Sequence, residues 1–191
     1  MSNSDDKLYN LVKFYESKIK PFKYTYNCRF GITIDLVIEP EEICHLLFGY
    51  LKGKNIPNAS NYKGLNGYNL ILDKTVTEAP LQVRKASKIK TDAFIYLPDL
   101  LANPDIIVFN PKIAGKGNGS FSHLETTDIN GDFLFYKKID NKQVHLFIKW
   151  DTRKKRYVAL SLFHNKKDSY IENQILLNSS NRAIITERDD N

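Results

Sequence analysis

The sequence predicts an α+β domain in which N-terminal helices pack on a curved antiparallel β-sheet. Apolar residues near the start recur at helical spacing, and the last third breaks into short alternating segments separated by hairpin turns. A chain of 191 residues with 11 Tyr and 11 Phe has material for one core, and its length suits a single domain with a small N-terminal addition. The expected division is an N-terminal helix in 1–21, a main domain over 22–180 and a frayed tail over 181–191.

Residues 5–20, DDKLYNLVKFYESKIK, put Leu8, Leu11, Val12, Tyr15 and Ile19 on one helical stripe. Ser4 is a candidate cap, the aspartates suit the first turn, and Pro21 stops the run. Residues 23–39 are rich in β-branched and aromatic side chains and read as two short strands joined at Gly31, or as one bent strand. Pro40 then opens a helix to about Lys52, with Glu41 and Glu42 complementing its dipole. Residues 53–67 read as loop, two further helices follow within 68–104, and IIVFNPK (106–112) reads as a strand entering a turn. IAGKGNGSFSH (113–123) is a glycine-rich loop without the spacing of a phosphate-binding loop. GDFLFYKKI, QVHLFIKWD and RYVALSLFH, separated by DNK and TRKK, form an antiparallel meander, and YIENQILL supplies a fourth strand.

The net charge of +6 is concentrated. Residues 137–167 hold ten Lys or Arg and two Asp, a net +8, which leaves −2 for the rest. Such a concentration on strands suits a polyanion, nucleic acid above all. No segment approaches the ~20 apolar residues of a membrane helix. The polar, acidic MSNSDDKLYN lacks the basic and apolar parts of a secretion signal, so a cytoplasmic location is expected, with Cys28 and Cys44 as reduced thiols.

Within EEICHLLFGYLKG (41–53), Ile43, Leu46, Leu47, Tyr50 and Leu51 share a stripe. His45 lies opposite, with Gly49 and Lys52, which leaves two readings: a solvated histidine or a site group. Strand alternation puts Leu146, Ile148, Trp150, Val158, Leu160 and Leu162 under the helices. It offers His145, Lys149, Tyr157, Ser161 and Phe163 on the other face. Cations, a hydroxyl and aromatics on one face suit single-stranded RNA. Tyr170 and Gln174 in DSYIENQ (168–174) could position a phosphate. The four histidines lack zinc spacing and the basic sheet lacks paired carboxylates, so no metal or other cofactor is expected. RNA carries its own nucleophile, the 2′-hydroxyl, and histidine, lysine and hydroxyl groups suffice to cut it.

The series HLLFG, GDFLFYKK, VHLFIKW, LSLFH and DSYIENQ, in that order over residues 22–178, resembles the fourth phage-associated group of the barnase–EndoU–colicin–RelE (BECR) nuclease superfamily. The resemblance implies a BECR-like fold and a metal-independent endoribonuclease, a toxin or mobile-element effector, that cuts RNA by 2′-OH transesterification to a 2′,3′-cyclic phosphate. It places the family's site residues on His45, Lys149, Ser161, Tyr170 and Gln174. Lys52, Lys112, His145, Arg153, Lys154, Lys155, Arg156 and Phe163 are then expected to hold RNA. A neutralising antitoxin or immunity partner, an acidic protein or an RNA, follows from the same resemblance. Here Phe48 separates His-Leu-Leu from Gly49, and the 112–128 loop is longer than the family pattern. The competing readings are a non-catalytic RNA- or DNA-binding module using the basic sheet face, and a module that docks an acidic protein.

Overall fold

A computed structural model describes residues 6–49, 58–76, 85–114, 127, 129–165, 170–178 and 181–188. Its architecture is mixed α+β, with helices packed on a strongly curled, mainly antiparallel sheet. The first helix, α1 (Lys7–Lys18), is capped by Asp6, whose carboxylate accepts the Leu8 N–H at 2.9 Å. Asp6 therefore takes the place expected of Ser4, which lies outside the described residues. All five stripe residues are buried, as their spacing predicts.

Strands β1 (Phe22–Asn27) and β2 (Thr33–Leu36) form a hairpin through a 3-10 turn at Arg29–Gly31, the first of the two arrangements expected. The next helix, α2 (Pro40–Phe48), starts at its proline and stops short of Lys52. Gly49 ends it at φ 67°, ψ −152°, a conformation open essentially to glycine alone. After a second 3-10 turn (Ala59–Tyr62) come α3 (Gly64–Leu72), α4 (Lys85–Phe94) and α5 (Leu97–Ala102). Helix α3 thus begins inside the segment expected to be loop.

Strand β3 (Asp105–Val108) precedes the meander β4 (Phe133–Ile139), β5 (Lys142–Asp151) and β6 (Arg156–Asn165). The fourth predicted segment forms only β7 (Ile175–Asn178), with Tyr170 and Gln174 in the turn before it. The tail does not fray throughout. Ile184–Glu187 form β8, antiparallel to β1, and the Arg188 guanidinium just beyond pairs with Glu39 at 2.8 Å. The sheet order is β7-β3-β4-β5-β6-β2-β1-β8, and the β6–β2 junction is parallel.

The main core runs from Leu8 to Leu177, so the N-terminal helix belongs to the same domain. Two buried tyrosines fix long-range geometry as well as volume. The Tyr15 hydroxyl donates to the Ile38 carbonyl (2.9 Å), just before α2, and Tyr26 donates to Leu101 (2.7 Å) at the end of α5. Paired hydroxyls inside a core avoid a desolvation cost of roughly 1–3 kcal/mol each. Among the described residues, no helix is long and apolar enough to cross a membrane.

One feature of the sheet overturns the simple alternation. Between β5 and β6 the register shifts: Phe147 opposes Ser161, but Ile148 opposes Ala159, leaving Leu160 as an extra residue. This β-bulge moves every earlier residue of β6 to the opposite face. Tyr157 stacks edge-on against Trp150 and Phe133 and packs on the main core, and Ala159 is buried in it. Tyr157 was expected on the opposite face. Val158 sits beside Lys149, and Leu160 packs into a second cluster with Phe147, Phe163 and Tyr170. Trp150 stays 43% exposed, where full cover by helices was expected.

Candidate active-site cleft

The bulge is held from α2. Glu42 is 6% exposed, and its carboxylate accepts the Ala159 N–H at 3.1 Å and the Arg156 guanidinium at 2.6 Å. Burial raises its pKa, against the pull of Arg156 and the Ala159 amide. One turn along the helix, the His45 imidazole lies near the carbonyl of Leu160, the bulged residue itself. Helix and bulge thus meet at two points. While the ring is neutral, one His45 nitrogen keeps its lone pair. Burial and then the nearby Lys90 ammonium hold the His45 pKa below the ordinary histidine value, against the pull of the Leu160 carbonyl.

His45 opens onto a cleft of about 540 Å³ that Lys149, Ser161, Lys90 and Asn130 also line. The sequence separates His45 from Lys149 by 104 positions (149 − 45), and the fold brings them to one cavity wall. Asp132 supports the far side. Its carboxylate accepts the Trp150 N–H at 2.6 Å and its own N–H donates to Ile148 at 2.8 Å, so the 129–132 segment is splinted to β5 beside Lys149. Among the described residues that line the cleft there is no carboxylate, and its charged groups are cationic.

Lys90 is the cleft cation that sequence reasoning missed. It reaches from α4 to donate to the Ser161 hydroxyl (2.8 Å) and the Leu162 carbonyl (3.2 Å). Its stem crosses Gly49, where an added Cβ would lie 2.8 Å from the lysine Cε. The glycine therefore bares the backbone for Lys90 as well as for the imidazole. A signal was present in the sequence: Lys90 stands three and four positions before buried Ala93 and Phe94, a charge on an apolar stripe.

Other expected residues part company with the cleft. His145 is fully buried, not displayed to RNA. It packs among Phe163 and Tyr170, and neither ring nitrogen makes a well-formed hydrogen bond, the Gln143 backbone giving only a weak contact. The reason is that the second sheet face is not open at this end. The segments around Phe109–Ala114 and Tyr170–Ile171 cover it and build a second apolar cluster. Burial pushes the His145 pKa down to about 4. Gln174 does not face the cleft either. Its amide clamps the turn after β3, accepting the Asn110 N–H at 2.8 Å and donating to the Asn110 carbonyl at 3.1 Å. Tyr170 lines an adjoining pocket, and Phe163 stands beside it at 5.4 Å between ring centroids.

The basic cluster is divided. Lys154 and Arg156 are engaged with Glu41 and Glu42, so both serve the α2–β6 junction and not an open RNA track. Arg153 and Lys155 are exposed at the hairpin tip, and Lys112 is exposed in the turn after β3, outside the cleft. Lys52 and most of the glycine-rich loop lie outside the described residues. Among the described residues, no three His, Cys, Asp or Glu side chains gather as a metal-binding set. Neither cysteine is bridged, and burial raises both thiol pKa values, Cys44 to about 12. Comparison with known proteins finds no matching family model, no matching curated protein and no matching solved structure.

Proposed function

We propose that this chain is a metal-independent endoribonuclease with a BECR-like fold. One observation carries the reading: a half-buried histidine with a lowered pKa shares a cleft with two lysines and a serine, and no carboxylate is among the described residues that line it. In the proposed reaction the free His45 nitrogen takes the proton of a ribose 2′-hydroxyl. The 2′-oxygen attacks the adjacent phosphorus, and the bond to the 5′-oxygen breaks. That oxygen takes a proton from water, which leaves a 2′,3′-cyclic phosphate and a 5′-hydroxyl end. Lys149 and Lys90 neutralise the charge that gathers on the phosphate, and Ser161, fixed by Lys90, positions it. A depressed His45 pKa keeps the base form populated at neutral pH, so the acid limb of the rate profile should fall below the ordinary histidine range.

The motif order HLLFG to DSYIENQ supports placing the chain among cytoplasmic toxins or mobile-element effectors that an acidic partner or an RNA would neutralise. The test is RNA cleavage by wild type, His45→Ala and Lys149→Ala, with end mapping. Each substitution should lower the rate by on the order of 10²–10⁴ with the fold intact, and wild-type activity should persist in EDTA. Unchanged cleavage by both variants removes the mechanism. Binding that weakens steeply with salt, without any cleavage, would favour the non-catalytic nucleic-acid module.

A further inference from the structure

A second pocket of about 370 Å³ adjoins the cleft, within the ~300–1,000 Å³ range of small-ligand sites. The two cavities share Lys90, Ile129 and Ser161. Ile89 and Ile129 give the second pocket apolar walls, Phe163 and Tyr170 give it aromatic ones, and Asn165 adds an amide with both donor and acceptor. The Lys90 ammonium lies 5.7 Å from the Phe163 ring centroid while bonded to Ser161. Its charge therefore stands at the boundary between aromatic pocket and cationic cleft.

We infer that this pocket is a nucleobase subsite, which takes the base next to the phosphate seated between His45 and Lys149. The inference rests on the RNA reading of the cleft and adds to it where the substrate's base goes and which residues select it. A base is planar, with apolar faces and polar edges. It calls for aromatic or branched apolar walls and a few hydrogen-bonding groups at the edge. A bare phosphate has no use for the aromatic wall, and an apolar side chain has none for Asn165 and Lys90. Lys90 sits where the sugar-phosphate must pass from one cavity to the other. It is a positioning residue that couples base recognition to the reacting phosphate.

The test is binding, so that it stands apart from cleavage. Wild-type protein is titrated with the four nucleoside 3′-monophosphates and with ribose 5-phosphate, following the ring protons of Phe163 and Tyr170 by NMR. At least one nucleotide should bind roughly tenfold or more tightly than ribose 5-phosphate, within the range of one base–aromatic stack. Phe163→Leu and Asn165→Ala should each shrink that difference. His45→Ala, which removes cleavage, should keep it. Should Phe163→Leu fail to fold, Asn165→Ala decides. Equal affinity for ribose 5-phosphate and all four nucleotides overturns the subsite, and so does an undiminished base preference in the folded variants. A protein that selects a base yet leaves RNA uncut would keep the subsite and remove the nuclease. One that cuts RNA without any base preference would do the reverse.

Discussion

The two faces of the β5–β6 hairpin are built from similar residues and end differently. On one face Val144, Leu146, Ile148, Ala159 and Leu162 lie fully or almost fully buried in the main core. On the other, His145 and Phe147 are equally buried, but two to four residues on, Lys149 opens into a cleft. The contrast teaches that strand alternation sets which side a residue faces, not whether that side is dry. Among the described residues the cover over this face ends before Lys149, and there the bulged Leu160 has its carbonyl near His45 of α2.

Deleting Leu160 is the sharpest way to break the comparison. Ala159 and Ser161 keep their partners on β5 while the extra residue and its carbonyl disappear. The domain should still fold, and RNA cleavage should fall by on the order of 10³, since the cleft wall that Leu160 shares with the proposed base is rebuilt. Wild-type rates from a folded deletion would show that the bulge does not serve the site.

Glu42→Ala tests the same brace from the helix side. It strands the Ala159 amide and takes a partner from Arg156, so urea denaturation should show a loss of about 3 kcal/mol. A change under about 1 kcal/mol would mean that water replaces the carboxylate.

The dry end of the second face should report itself through pH. An unfolded histidine binds a proton below about pH 6.5, whereas buried His145 does so only near 4. The unfolded state binds more protons in that window. The contribution is therefore complete above about 6.5 and is lost as pH falls toward 4, by roughly 3 kcal/mol at most. His145→Phe should flatten stability between those limits, and an unchanged pH dependence would show that His145 is not the group responsible.

The smallest effect is expected at the rim of the α2–β6 junction. Lys154 and Glu41 are each more than a third exposed, so Lys154→Ala should cost less than about 1 kcal/mol, and less still in high salt. A loss as large as that of Glu42→Ala would place Lys154 within the brace.

Much of this was legible locally. The α1 stripe, the Pro40 helix start, the hairpin around Gly31 and the DNK and TRKK turns each depend on residues within a few positions of one another. Leu8 through Ile19 need no distant partner to declare a helix. His45 was correctly removed from the main core by spacing alone. Gln174 and Arg156 misled because a polar side chain declares its chemistry but not its partner. One turned out to clamp Asn110 and the other to serve Glu42.

The sequence by itself determined the α+β composition, the helices α1 and α2 and the three-strand meander, because periodicity and turn chemistry are short-range. Only the tertiary structure decided that Leu160 bulges, that His145 is enclosed, that the C-terminal residues 184–187 pair with β1, and that Lys90 joins His45 and Lys149 at one cleft. Each of those depends on which distant segment arrives to cover or pair with a given backbone, and that is settled by packing the whole chain.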